Sequence, residues 1–304
     1  MIQESRQGGR PTRVLILGGT SNAARNVREF LSRQTGYEVI VHTRKPSIAL
    51  RGEMVTQVQD YREKIPDDLD AVISFIGCVH GSAEMHQHVN VDLQTGIARA
   101  VKAAKARCLI NISTLAVYGD VERIDSSTPE RPVAAYGESK LEGDRQLLLE
   151  VDDALRVVVL RVPALYGDGM PGKISTLARL IGKVGIMPVL RVSGMRSTLH
   201  VENLARTLCE LVDSDLDGIQ FGSDPDLFSI DQLVEAIEKR KSRRVWTPLL
   251  PPAVLRLMYR AMPAITRRQA RRDLASRSPV RARCGVGGSP GPADRAEAPD
   301  RMTG

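Results

Sequence analysis

The stretch that most constrains this chain lies near its beginning. Arg13-Val-Leu-Ile-Leu17 runs without a break into Gly18-Gly19-Thr20, and over residues 22–32 Ala23, Val27, Phe30 and Leu31 recur at helical spacing. A short uninterrupted apolar run ending in glycine reads as a strand buried on both faces. Strand, tight turn and amphipathic helix in that order make a βα unit. Further buried strands are expected at residues 38–42, 70–75, 108–112 and 156–160, with a helix over 89–106. Strands alternating with helices require a parallel sheet covered on both faces. The expected class is therefore α/β, a doubly wound parallel sheet.

A glycine turn at a helix N-terminus is built for a pyrophosphate, because backbone N–H groups and the helix dipole both favour an anion there. Dinucleotide-binding turns place small residues at fixed spacing, and here Gly18, Ser21 and Ala24 occupy those positions. Gly18 alone is a strict glycine, and Ser21 and Ala24 are small enough to keep the approach close. Thr20, Ser21, Asn22 and Ala23 are the expected contacts beside Gly18. The end of the second strand selects the cofactor, since a carboxylate there would bond the ribose 2′-OH of NAD. This chain has His42-Thr-Arg44-Lys45 and no acid nearby. Arg44 or Lys45 fits a 2′-phosphate, so NADP(H) is the expected cofactor, with NAD(H) the other choice. The competing reading of that segment is a solvated basic loop. Asp60, in Gln59-Asp60-Tyr61, is expected either on the adenine amino group or as a surface turn residue.

Tyr136-Gly-Glu-Ser-Lys140 puts a phenol and an ammonium four residues apart, on one face if the segment is helical. The lysine charge favours the phenolate, and such a tyrosine exchanges a proton with a carbonyl or an alcohol. Some twenty residues upstream, a buried strand ends in Asn111-Ile-Ser113-Thr114-Leu-Ala-Val117-Tyr118-Gly119. A hydroxyl at the C-terminal end of a strand sits where α/β folds place ligands.

With these residues together, the chain resembles the extended short-chain dehydrogenases/reductases, the group of nucleotide-sugar epimerases, dehydratases and reductases built on a Rossmann domain. The resemblance covers roughly residues 13–250. It implies Thr114, Tyr136 and Lys140 as the catalytic set, with Tyr136 and Lys140 also touching the cofactor. It implies Phe75-Ile76-Gly77 under the nicotinamide ribose, and Asn90 supporting the lysine, against a helix-cap reading of Asn90. Arg161-Val-Pro163-Ala-Leu-Tyr166-Gly167 resembles the strand-to-loop signature, with Pro163 beside the cofactor and Tyr166 beside the sugar. Arg196, in Arg196-Ser-Thr-Leu-His200, matches a diphosphate contact, against a surface salt bridge. Met187-Pro188 resembles the segment lining the base. Ala164 departs from the pattern, occupying a slot often held by asparagine.

The dehydratases of this group carry an acid pair after the catalytic threonine, and Leu115 and Ala116 stand there instead. Epimerases usually keep an acid after the second strand. The expectation is therefore NADPH-dependent reduction of a 4-keto-6-deoxy nucleotide sugar for surface-polysaccharide synthesis. A UDP-sugar 4-epimerase with bound NAD is the alternative, and a non-catalytic dinucleotide-binding protein the third. The resemblance also implies a homodimer formed through paired helices.

Composition narrows the rest. The 304 residues divide into an expected dinucleotide-binding domain (11–165), a smaller substrate lobe with some segments returning to the sheet (166–275), and a disordered tail (276–304) rich in Gly, Pro, Ala and Arg. Four cysteines without CxxC spacing fit neither a zinc site nor a disulfide framework, and point to a reducing cytoplasm. Residues 239–283 hold fourteen Lys/Arg against one acid, so with +7 for the whole chain the remainder sums to −6. No aromatic interleaves the arginines after Tyr259, which argues against nucleic acid. Residues 249–265 are apolar and are followed by Arg267-Arg268 and Arg271-Arg272. This reads either as a weak membrane-surface contact or as a core-packing helix with a solvated basic end.

Overall fold

The computed structural model describes residues 10–121, 123–171, 173–187, 197–248 and 281–282. Its element order is β1 (Thr12–Leu17), α1 (Asn22–Leu31), β2 (Tyr37–Thr43), β3 (Glu53–Gln57), β4 (Ala71–Ser74), α2 (Ala83–Gln87), α3 (Leu93–Ala103), β5 (Cys108–Thr114), β6 (Arg123–Ile124), α4 (Ala135–Leu148), β7 (Arg156–Val162), β8 (Ala164–Tyr166), α5 (Lys173–Val184), β9 (Thr198–His200), α6 (Val201–Asp213), β10 (Gly218–Phe221), α7 (Ile230–Lys241) and β11 (Arg281–Ala282). A π-helical turn, His88–Asp92, joins α2 to α3, and a 3₁₀ turn, Leu115–Tyr118, follows β5.

Seven strands form one sheet in the order β10-β7-β5-β4-β1-β2-β3, every pairing parallel. This is the α/β, Rossmann-like fold. The apolar run of β1 divides by strand alternation: Val14 and Ile16 join a core with α1 and α6, while Leu15 and Leu17 join a second core with α3. Both faces are thus covered, which is why the strand sequences are almost continuously apolar.

From β1 the chain steps outward to β2 and β3, then returns to place β4 on the other side of β1. The crevice at this reversal, above the C-terminal ends of β1 and β4, is where such sheets receive ligands. Gly18 ends β1 there, and Phe75 N–H donates to the Leu17 carbonyl at 3.0 Å, so the two strand ends are stitched side by side.

Much of the region beyond residue 166 is part of the main fold. Leu204, Ala205, Leu208 and Leu211 of α6 pack in the same core as Val14 and Val27, and β10 extends the sheet beside β7. A separate small core remains, Ile181, Met187, Val234 and Val245, between α5 and α7. Arg196, Pro188, residues 249–265 and nearly all of the expected tail lie outside the described residues. Among the described residues no helix is long and apolar enough to cross a membrane, and no group of three or more His, Cys, Asp and Glu could hold a metal ion.

Candidate active site

The glycine turn is shaped by two glycines. Gly18 has φ +74°, which suits a residue without a side chain. A Cβ on Gly19 would lie 2.2 Å from Val41 Cγ1. The turn can press this closely on β2 only with glycine at both positions, and the spacing of Gly18, Ser21 and Ala24 did not reveal Gly19. Ser21 caps α1, its hydroxyl accepting from Ala24 N–H at 3.2 Å, and Ala24 is fully buried. Asn22 and Ala23 open the helix, whose first-turn N–H groups have no intrahelical acceptor. Thr20 sits between turn and helix. The narrow cradle and the half-buried helix terminus fit a dinucleotide pyrophosphate.

One element of this cradle was not legible from the motif. Arg28 of α1 is 2% exposed, and its guanidinium forms a bidentate ion pair with the buried carboxylate of Glu53 at 2.9 and 2.7 Å. It also donates to the Gly19 carbonyl at 2.9 Å and the Ile48 carbonyl at 2.8 Å. Glu53 in turn accepts from Leu50 N–H at 2.7 Å. One buried pair therefore ties the glycine turn to the loop after β2. The signal was available, because Arg28 falls on the buried spacing Ala24, Val27, Arg28, Leu31 of its helix.

That loop carries Arg44 and Lys45. Both are exposed, and the Arg44 guanidinium lies over the Tyr61 ring, 5.7 Å from its centroid. Thr43, fully buried, donates from its hydroxyl to the Lys45 carbonyl at 2.6 Å. Burial, reinforced by the Lys64 charge, holds the His42 imidazole below its ordinary pKa. The cationic groups at the end of β2 are therefore Arg44 and Lys45. Asp60 is held by the Arg62 guanidinium, which keeps its carboxyl below the usual range. That pairing is the surface-turn reading of Asp60.

Thr114, Tyr136 and Lys140 come together at the end of β5. The Tyr136 phenol lies beside the Thr114 side chain. The neighbouring hydroxyl points elsewhere: Ser113 is buried and donates to Asp144 Oδ2 at 2.8 Å. Strand alternation thus separates two adjacent hydroxyls, Thr114 toward the phenol and Ser113 into the protein. Burial raises Tyr136 above the usual phenol pKa, the Thr114 side chain opposes this, and the Asp144 charge adds to it. Lys140 lies one turn along α4 and is 3% exposed. Its Nζ donates to the Ile112 carbonyl at 3.0 Å, so the charge is anchored on β5.

Asn90 is 1% exposed, and its hydrogen bonds run past Lys140. Its side chain accepts from Cys78 N–H at 2.8 Å, donates to the Cys78 carbonyl at 2.9 Å, and donates to Ser139 Oγ at 2.9 Å. It therefore clamps the segment after β4, with half-buried Phe75, buried Ile76 and exposed Gly77, to the helix bearing the tyrosine. The fit is close. A Cβ on Gly143 of α4 would lie 2.0 Å from the Asn90 carbonyl oxygen. Gly143→Ala is expected to push α4 off the π-helical turn, costing about 1–3 kcal/mol in urea unfolding. An unchanged midpoint would show that the contact relaxes freely.

On the far side of the crevice, Pro163 leads from β7 into β8. The Tyr166 hydroxyl faces Asp224 and Thr198, and burial with the nearby Asp224 carboxylate pushes its pKa up to about 12. Its ring meets His200 edge-on, with centroids 5.1 Å apart. Asp224, which sequence reading missed, also accepts from His200 N–H at 3.1 Å and Asn203 Nδ2 at 2.6 Å. Arg161 does not face the crevice. It is 1% exposed and bonds Asp144, Tyr118 and Glu130 beneath the site.

The profile described as "NAD dependent epimerase/dehydratase family" matches residues 14–220. A UDP-glucose 4-epimerase of Vibrio cholerae is 22% identical over 225 residues, 67% of each chain. A decarboxylating sterol-4-alpha-carboxylate 3-dehydrogenase of Schizosaccharomyces pombe is 32% identical over 116 residues, 35% of this chain and 34% of its own length. The fold is similar to that of UDP-glucuronic acid 4-epimerase from Bacillus cereus in complex with NAD. The TM-score is 0.65 at 15% identity, with 78% of this chain and 86% of that one covered.

Proposed function

Because this chain belongs to the NAD dependent epimerase/dehydratase family, we propose that it is an NADPH-consuming reductase acting on the keto group of a 4-keto-6-deoxy nucleotide sugar. It is an NAD(P)-dependent enzyme of the extended short-chain dehydrogenase/reductase type. The observation that carries the reductive reading is the end of β2, where Thr43 is buried, Arg44 and Lys45 are exposed, and no carboxylate stands to hold a ribose 2′-OH. Gly18, Thr20, Ser21, Asn22 and Ala23 would hold the pyrophosphate, Arg44 the 2′-phosphate, and Phe75, Ile76 and Gly77 the ribose near the reacting ring. When bound, the nicotinamide supplies hydride to the sugar carbonyl carbon.

The chain's own residues do the remaining work. Tyr136, raised above the usual phenol value, is protonated at neutral pH and delivers its proton to the carbonyl oxygen. Thr114, beside that phenol, orients the same oxygen. Lys140 provides positive charge below them. Leu115 and Ala116 offer no acid for eliminating water. Tyr166, His200 and Asp224 frame the sugar side of the crevice, and Arg196 would reach the diphosphate.

The test is NADPH absorbance with the purified protein and a freshly prepared nucleotide 4-keto-6-deoxysugar, with NADH in parallel. Faster loss of NADPH is expected. The similarity to the Vibrio cholerae UDP-glucose 4-epimerase supports a second reading, C4 epimerisation of a UDP-sugar. That reading requires a mixture of C4 epimers from the parent sugar with no net cofactor consumption. Arg44→Ala is expected to lower the NADPH-over-NADH preference in kcat/KM by about 10- to 100-fold, the worth of a charged hydrogen bond. An unchanged ratio would remove Arg44 from the 2′-phosphate site.

A further inference from the structure

Lys140 sits in a buried polar cluster whose composition is unusual for the underside of a helix. Along α4, Gly137, Lys140, Leu141, Asp144 and Leu147 form one buried stripe, so ammonium and carboxylate are one helical turn apart on the same face. Asp144 is fully buried. Its Oδ2 accepts from Ser113 Oγ of β5 at 2.8 Å and from Arg161 Nε of β7 at 3.1 Å. Arg161 is itself tied to Glu130 at 2.6 Å and to the Tyr118 hydroxyl at 2.6 Å. Glu130 further pairs with Arg145 at 3.2 Å. The guanidinium is therefore shared between two carboxylates, Asp144 and Glu130. Asp144 Oδ1 is buried and accepts no hydrogen bond among the described residues.

A buried carboxylate with one oxygen left unbonded is costly unless a charge compensates it. A buried ammonium holding one carbonyl is equally costly. The two groups answer each other's deficit. We infer that Asp144 is a positioning residue, the buried counter-charge that keeps Lys140 an ammonium ion at the end of β5 beneath the Tyr136–Thr114 pair.

The groups facing Asp144 are Lys140 from its own helix, Ser113 from β5 and Arg161 from β7, with Tyr118 and Glu130 one step behind Arg161 and the Tyr136 phenol above. Burial works against both charges, lowering the lysine and raising the acid, while each group's charge opposes the shift of the other. Removing the carboxylate leaves burial unopposed at Lys140. The inference rests on the proposed catalytic set, because only there does the protonation of Lys140 matter to turnover.

The experiment labels the lysine side chains with ¹³C at Cε and follows Lys140 by NMR through a pH titration, its signal identified by its absence in Lys140→Met. This readout needs neither substrate nor cofactor. In Asp144→Asn the Lys140 midpoint is expected to fall by about 1–3 pH units, the effect of an adjacent opposite charge. Asp144→Glu is expected to restore it. Ser113→Ala removes a neighbour of Asp144 without removing the charge, and is expected to leave the midpoint near that of the wild type. A midpoint unmoved in Asp144→Asn overturns the inference. If Asp144→Asn does not fold, the wild-type titration decides, and a Lys140 already neutral at pH 7 overturns it equally. The alkaline limb of kcat should shift downward with the NMR midpoint. Absence of any turnover in the wild type would instead count against the reductase reading and leave the titration result standing.

Discussion

Tyr136→Phe is expected to lower kcat by about 10²- to 10⁴-fold, the usual worth of a placed proton donor, while dinucleotide binding followed by fluorescence stays within a few-fold of wild type. The change removes only the hydroxyl. Tyr136 is half-buried on α4, with its hydroxyl beside the Thr114 side chain. The ring stays in place, so packing and the cofactor cradle are preserved. A loss confined to kcat would mark the phenol as acting in the reaction. Comparable activity in the Phe variant would mean that another group supplies the proton. The pH profile carries a sign as well. In reduction the phenol must be protonated, and burial raises its pKa. Reductive kcat should therefore hold through neutral pH and decline only on the alkaline side, where Lys140 or the phenol loses its proton.

Glu53→Ala is expected to have the largest effect on stability, about 3–5 kcal/mol, because it leaves the buried Arg28 guanidinium without its partner. For a domain of this size that is a fall of roughly 10 °C in Tm by calorimetry. The pair is 3% and 1% exposed at its two side chains, so solvent screening gives little relief. The consequence should reach the cofactor site, since Arg28 also holds the Gly19 and Ile48 carbonyls. Dinucleotide affinity should weaken even at temperatures where the variant remains folded. The double variant Arg28→Met with Glu53→Met removes both charges together and should recover part of the lost stability. A single variant as stable as the wild type would show that water enters and solvates the free guanidinium.

The reading of the sequence succeeded where one segment carries its own pattern. The βα unit at residues 12–31, the strand ending at Thr114 and the i, i+4 pair Tyr136 and Lys140 are local arrangements, and their periodicity is visible without a fold. β3 was missed because Glu53-Met-Val-Thr-Gln57 is a partly exposed edge strand with weak alternation, and its place comes from pairing with β2. β10 and α6 fall within the expected lobe over residues 166–275, of which some segments were expected to return to the sheet, and these two complete the main sheet and its core. Their apolar residues look the same whichever sheet they cover, so sequence alone could not say where they pack.

The sequence by itself determined the α/β class, the glycine turn at the end of β1, and the spacing that sets Tyr136 and Lys140 one turn apart on α4. These depend on contacts within a turn or two of chain, where spacing and residue type suffice. The tertiary structure alone decided the partnerships across long separations. It set Ser113 rather than Thr114 on Asp144, Asn90 on Cys78 and Ser139 rather than on Lys140, and Arg28 on Glu53. It also turned Arg161 inward to Asp144 and Glu130. A buried charge takes whichever opposite charge the packed strands and helices bring within reach, and that choice is made only when distant segments meet.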